Sequence, residues 1–417
     1  MATDPLILVR AVHFAATLLA AGTTIFISAV AEPAAGKPGL ATLRHQLIVL
    51  VWLALTVAVV AGGVWLVLLA SDILGSSISD ICLHGGAWQV LTDTRFGQVW
   101  CTRLALALLL ALVLPWRATR WLQITIVAAF LGLLALVGHA GATPGPAGDL
   151  HLVSDVLHLL AAGAWLGGLP AFAFFLWQAG RGTGRARDAA TVRVVDRFSR
   201  LGVLSVGILL ASGLVNSWSL LNGPRDLIAS DYGHLVALKI ALFGAMVAIA
   251  AVNKFYLTPR LPKAAALRAL RRNSLAEICL GLCVLVFVAV LGTQPPGTHV
   301  HAASTGIPLD AAFVHIHDQE VMADVTIEPG RAGRTDVTIR VSREDFSSYP
   351  AKDVRLTLDP PSAGAQTIDR AATKQADGSW LVNDLTLTHA GIWTAKVIVR
   401  PVAGAPLVLD APVVIGR

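Results

Sequence analysis

The chain has 417 residues, 55% of them hydrophobic and only 14% charged, with a mean hydropathy of +0.68. That balance lies outside the soluble globular class. The formal net charge of +6 does not indicate a nucleic-acid partner, because the basic residues gather in short loops between apolar runs, where they report membrane orientation.

Apolar runs long enough to cross a bilayer, about 20 residues each, occur at 6–30, 46–70, 98–115, 120–138, 150–178, 199–221, 234–257 and 274–292. They predict eight transmembrane helices. Ala29-Val30-Ala31 resembles a signal-peptide cleavage site, but the run before it is too long and Asp4 accompanies a single early arginine. The first span is therefore expected to be retained. Lys37, Arg44, Arg117 and Arg120 fall on one side, joined there by the basic residues of loops 179–200 and 254–273. The other side has Arg10, Arg95, Arg103 and Arg225. Loops rich in lysine and arginine stay in the cytoplasm, so both termini are expected outside it.

The halves of the membrane region read as a tandem four-plus-four duplication, at about 1–145 and 146–297. His13 precedes Gly22 by the same spacing that separates His158 from Gly167. Phe96-Gly97 with Arg103 matches Tyr232-Gly233 with Lys239, Gly62-Gly63 matches Ser212-Gly213, and Val137-Gly138 matches Leu291-Gly292. Such duplications place transporter sites between the halves, so a shared site between the repeats is expected. Arg103 and Lys239 are expected to reach outward or to pair with Asp93 or Asp231.

From 298 to 417 the spans give way to alternating runs at Val321–Ile327, Arg334–Val341, Val354–Leu358, Trp380–Leu387 and Trp393–Val399. Turn residues separate them, predicting a C-terminal all-β, immunoglobulin-like antiparallel sandwich outside the cytoplasm. Cys82 and Cys101 share a long outer loop where a disulfide can persist, although spacing does not establish pairing. Cys279 and Cys283, four apart on one helix, fit either a soft-metal pair or small packing residues.

All but one of the twelve histidines fall on the outer side or in the half-depth nearest it, His45 being the exception. His13 lies about 10 Å inside the first span, and His158 is its repeat partner at similar depth. His151, Asp155 and His158 share a helix face in i, i+4, i+7 order. His139 closes the fourth span, His234 opens the seventh, and His84 lies in the outer loop. A histidine at a helix end often only bonds a carbonyl, yet this bias toward one side favours a metal path through His13, His139, His151, Asp155, His158 and His234. His299, His301, His315 and His317 are candidate entry residues, the last two alternating so that a strand would turn them the same way. With methionine present only at positions 1, 246 and 322, imidazole and carboxylate suit Cu(II), or a site tolerant of either oxidation state.

Residues 1–295 resemble the copper resistance D (CopD) family. The likeness rests on Leu157-His158-Leu159-Leu160 with Trp165-Leu166-Gly167-Gly168, Arg197-Phe198-Ser199, Ser212-Gly213-Leu214, Asn253-Lys254 with Pro259, and Glu277 through Thr293. The tail resembles YtkA-like or FixH-like periplasmic domains through Asp377-Gly378-Ser379-Trp380 and His389-Ala390-Gly391-Ile392-Trp393. The resemblance implies a non-enzymatic copper permease of the bacterial inner membrane, acting in uptake and copper homeostasis, with copper as its ion and a CopC-type periplasmic chaperone as partner. No P-loop accompanies it, so ATP hydrolysis is not expected to drive transport. A b-type haem held by His13 and His158, or a copper sensor or scaffold that moves nothing, are the competing expectations.

Overall fold

The computed structural model describes residues 5–35, 41–74, 77–83, 86–137, 145–181, 185–220, 226–229, 231–261, 263–293, 308, 310–317, 321–343, 347–360, 366–402 and 405–416. The chain forms two compact units, one built on helices and one on strands.

Among the described residues, eight helices are long and apolar enough to span a membrane. They are α1 (Pro5–Ala34), α2 (Ala41–Ser71), α3 (Phe96–Val113), α4 (Arg117–Val137), α5 (Gly148–Ala179), α6 (Ala189–Leu220), α7 (Tyr232–Arg260) and α8 (Ala264–Leu291). Each expected run falls on one of them. α6 and α8 begin about ten residues earlier than hydropathy suggests, because arginine-rich sequence continues the helix where its side chains can be hydrated. Four helices are irregular among the described residues, α4 having 3-10 turns at Arg117–Thr119 and Leu133–Val137. α1 and α7 contain π-helical turns at Phe26–Ala31 and Asn253–Leu257. α5 is interrupted after Trp165 and restarts at Leu169, with Gly168 before the restart and Pro170 in its first turn.

The halves meet where α1 crosses α5. A Cβ on Gly22 would lie 1.9 Å from the carbonyl carbon of Gly167, and one on Gly167 would lie 2.0 Å from the Leu18 carbonyl oxygen. Only glycine permits so close a crossing, and the two glycines are repeat equivalents. At the basic-loop end, Arg193 Nε donates to the Ala34 carbonyl at 2.7 Å and Arg197 Nη2 to that of Ala29 at 3.3 Å. These carbonyls close α1, where the helix dipole favours cations. Glu32 is held by Arg44 at 2.7 Å and Arg117 at 3.3 Å. Phe172 stacks on Phe198 at 4.3 Å between centroids, with Phe26 edge-on to the pair.

The β unit is an antiparallel sandwich of nine strands among the described residues: β1 (Ala312–His317), β2 (Met322–Glu328), β3 (Gly333–Ser342), β4 (Ala351–Asp359), β5 (Ile368–Ala371), β6 (Thr373–Lys374), β7 (Trp380–Leu387), β8 (Gly391–Pro401) and β9 (Leu407–Ile415). One sheet runs β1-β2-β3-β7-β6 and the other β5-β4-β8-β9. All five expected strands are present. Among those not listed from sequence, β9 hides its pattern behind Pro412, which its edge position tolerates. Alternate residues of β3 and β8 enter one core around Trp393, whose Nε1 donates to the His389 carbonyl at 3.0 Å. Trp393→Ala is expected to destabilise the sandwich by about 3–5 kcal/mol, read as earlier proteolysis of the strand region in a urea series on the full chain. In the turn before β7, the Ser379 amide and hydroxyl bond Asp377 and hold its carboxyl below the usual range.

Candidate functional site

Of the two histidines matched by spacing, His13 is buried and His158 half-buried, and each faces the second helix of its own half. His13 on α1 places Nδ1 2.9 Å from the Ala58 carbonyl of α2. A carbonyl only accepts, so Nδ1 carries the proton and Nε2 holds the lone pair. Arg103 of α3 donates its Nη2 to that nitrogen at 3.2 Å. Its Nη1 donates to the Phe130 carbonyl of α4, and its guanidinium lies 4.4 Å from the Phe130 ring centroid. Arg103 is 1% exposed, so the expectation that it reaches outward is corrected: a carbonyl, an imidazole and two aromatic faces hold it inside. The adjoining cavity, of about 200 Å³, already contains a fixed cation and a histidine with both nitrogens engaged.

His158 differs. Ser212 of α6 donates its hydroxyl to the Ile208 carbonyl at 2.6 Å, so its oxygen accepts from His158 Nδ1 at 3.0 Å. Nε2 therefore keeps an unshared lone pair, with no hydrogen-bond partner among the described residues, beside a cavity of about 300 Å³. Lys239, Tyr232 and Asn216 line the same cavity. Asn216 Nδ2 donates to Asp155 at 3.2 Å, while its Oδ1 is buried without a hydrogen-bond partner among the described residues. Lys239 lies within electrostatic range of both Asp155 and His158. A free imidazole nitrogen, an orphaned amide oxygen and a carboxylate are donors suited to a transition-metal cation.

Among the described residues no group of three or more His, Cys, Asp or Glu is placed to hold a metal. His13 and His158 line separate cavities, so one centre drawing on both, for copper or for a haem iron, is not built. Each imidazole instead bonds the second helix of its own half, His13 to Ala58 and His158 to Ser212. His151 is buried on α5. His234 is exposed, and its Nε2 bonds the Ile228 carbonyl at 3.1 Å, the ordinary behaviour of a helix-end histidine. His139, His84, His299 and His301 lie outside the described residues, as does the side chain of His317. His315 sits on β1 opposite Asp324 of β2, and its Nδ1 bonds that carboxylate. All four cysteines are exposed and unbridged, so Cys279 and Cys283 are not small core residues.

Asn216 escaped the reading of sequence. Its position four residues after Ser212, on one helix face, was the available signal.

Two family models match the chain: "Copper resistance protein D-like, N-terminal domain" over residues 1–149 and "Copper resistance protein D" over residues 192–291. "Inner membrane protein YebZ" of Escherichia coli (strain K12) is 34% identical over 230 residues, covering 54% of this chain and 77% of that protein. "Copper resistance protein D" of Pseudomonas syringae pv. tomato is 30% identical over 228 residues, covering 50% and 72% respectively. "Copper transport protein CutJ" of Bacillus subtilis (strain 168) is 27% identical over 339 residues, covering 75% of this chain and 59% of that protein. No solved structure matches the chain. With both halves of its helical region matched and two relatives aligned over more than two thirds of their own lengths, the chain belongs to the copper resistance protein D family.

Proposed function

We propose that this protein binds copper in the His158 cavity and carries it across the bacterial cytoplasmic membrane, acting as a permease rather than an enzyme. The observation that carries this reading is the unshared Nε2 lone pair of His158 at a cavity also lined by Asn216, whose Oδ1 is unpartnered among the described residues and whose amide nitrogen bonds Asp155. The names of the relatives from Pseudomonas syringae and Bacillus subtilis supply the ion. Lys239 lies within electrostatic range of Asp155, and a cation bound there takes over the balance of that carboxylate's charge. Imidazole with oxygen donors favours Cu(II) over Cu(I). His13, clamped by Arg103, acts as a structural pillar of the first half.

Uptake is the direction the charges favour. With the basic loops in the cytoplasm, the His158 end faces outward, and an inside-negative potential contributes about 2.3 kcal/mol per charge per 100 mV to inward movement. The sandwich, or a separate CopC-type carrier, then delivers the ion. Proteoliposomes containing the full chain and an internal copper reporter test this. Accumulation driven by an inside-negative potential is expected. Copper bound to the protein with none inside the vesicles would leave a sensor, and iron with a Soret band would leave an electron carrier.

A further inference from the structure

A second cavity, of about 260 Å³, follows the His158 cavity along the same four helices. On α5 the first is lined by His158 and Ala162, the second by Leu169 and Phe172, and Trp165 lines both. On α7 the first is lined by Lys239 and Phe243, the second by Val247 and Asn253. Trp165 is 3% exposed and meets Phe243 edge-on with centroids 6.2 Å apart, so these rings wall one cavity from the other. The wall stands at the interruption of α5. Broken helices at membrane depth are where transporters place their substrates.

Beyond the wall lies Glu277 of α8, 2% exposed. Its Oε2 accepts from Asn253 Nδ2 at 3.3 Å, and Asn253 Oδ1 accepts from Asn273 Nδ2 at 2.8 Å. Asn253 opens the π-helical turn of α7, an irregularity that recurs at functional sites. Lys254 borders this cavity but forms no ion pair with Glu277. Asp155 has Lys239, and Glu32 has Arg44 and Arg117, whereas Glu277 has no basic partner among the described residues. A carboxylate in an apolar cavity with one neutral donor is stable only once it takes up a proton or a cation, so the two compete for it. The first half makes the contrast. Gln123 stands as far before Gly138 as Glu277 does before Gly292, and its amide is fully occupied by the Val113 and Trp116 carbonyls and the Thr119 and Ser28 hydroxyls.

We infer that Glu277, its carboxylate positioned by the Asn273–Asn253 hydrogen-bond chain, is a second cation site on the far side of Trp165 from His158, and that the Trp165 indole is the partition an ion must pass between them. A carboxylate oxygen suits a hard or borderline divalent ion. The ion's identity as copper rests on the function proposed above, while the site rests on its own geometry.

Dicyclohexylcarbodiimide, an apolar reagent that modifies protonated carboxyls, tests the site in the purified full chain, with the adduct located by peptide mass spectrometry. Modification of Glu277 is expected, slowed at least about tenfold by Cu²⁺ or Mn²⁺, with the same protection in His158→Ala. No adduct, or an adduct indifferent to both ions, overturns the inference. Protection by Mn²⁺ but not Cu²⁺ keeps the site and removes copper as its ion. In vesicles, Glu277→Gln is expected to stop copper accumulation while copper remains bound at His158. Accumulation at the unaltered rate overturns the inference. Asn273→Ala, at a half-buried position, gives the same readouts if glutamine at 277 prevents folding.

Discussion

Alanine at His158 is expected to lower copper affinity by at least about 100-fold and to stop vesicle accumulation, whereas alanine at His13 is expected to change the affinity by less than about threefold. The two histidines are sequence equivalents, so a symmetrical reading would give them equal effects. Their surroundings differ most at Nε2. Arg103 in the first half reaches the Nε2 of its histidine, while Nε2 of His158 has no such donor and Lys239 is shared with Asp155. A metal at His13 would have to displace a buried guanidinium that also holds the Phe130 carbonyl. His13→Ala would instead leave one Arg103 donor unpaired in the interior, costing about 1–3 kcal/mol, and would lower the thermal midpoint. Copper titration with electron paramagnetic resonance, which counts coordinated nitrogens, separates the outcomes. Equal loss of affinity in both variants would return His13 to the metal site.

Leucine at Gly167 or Gly22 is expected to abolish the folded protein. The backbones of α1 and α5 already touch at this crossing, and even a Cβ would lie about 2 Å from main-chain atoms that cannot move aside separately. Overpacking of cores usually costs about 1–3 kcal/mol, but that figure assumes neighbours able to rotate away, and here the obstacle is backbone. Gly63→Leu and Gly244→Leu are the controls, since a Cβ at either meets nothing within 4 Å. Size-exclusion profiles of fluorescently tagged chains in detergent should show a sharp peak for the controls and aggregate for the crossing variants. A sharp Gly167→Leu peak would mean that the halves can separate there without loss of the fold.

The helical spans were legible because a bilayer demands a long apolar segment for each crossing, a requirement that leaves its mark on composition whatever the neighbours are. The sandwich strands were legible because one buried face imposes a period of two, and β9 was missed where Pro412 interrupts that period at an edge. The matched histidines, glycines and basic residues of the two halves could likewise be read directly, since a duplication preserves spacing. Which imidazole keeps a free lone pair could not. That depends on whether a donor across the helix interface reaches Nε2, as Arg103 does at His13 and no described group does at His158, and helix rotation and crossing distance set those contacts. The stacking of two cavities at Trp165, and the lack of a described ion-pair partner for Glu277, were likewise decided by packing. One-dimensional periodicity determines which face of a helix is apolar, whereas the partner that face meets, and hence the charge balance within it, exists only once the helices are assembled.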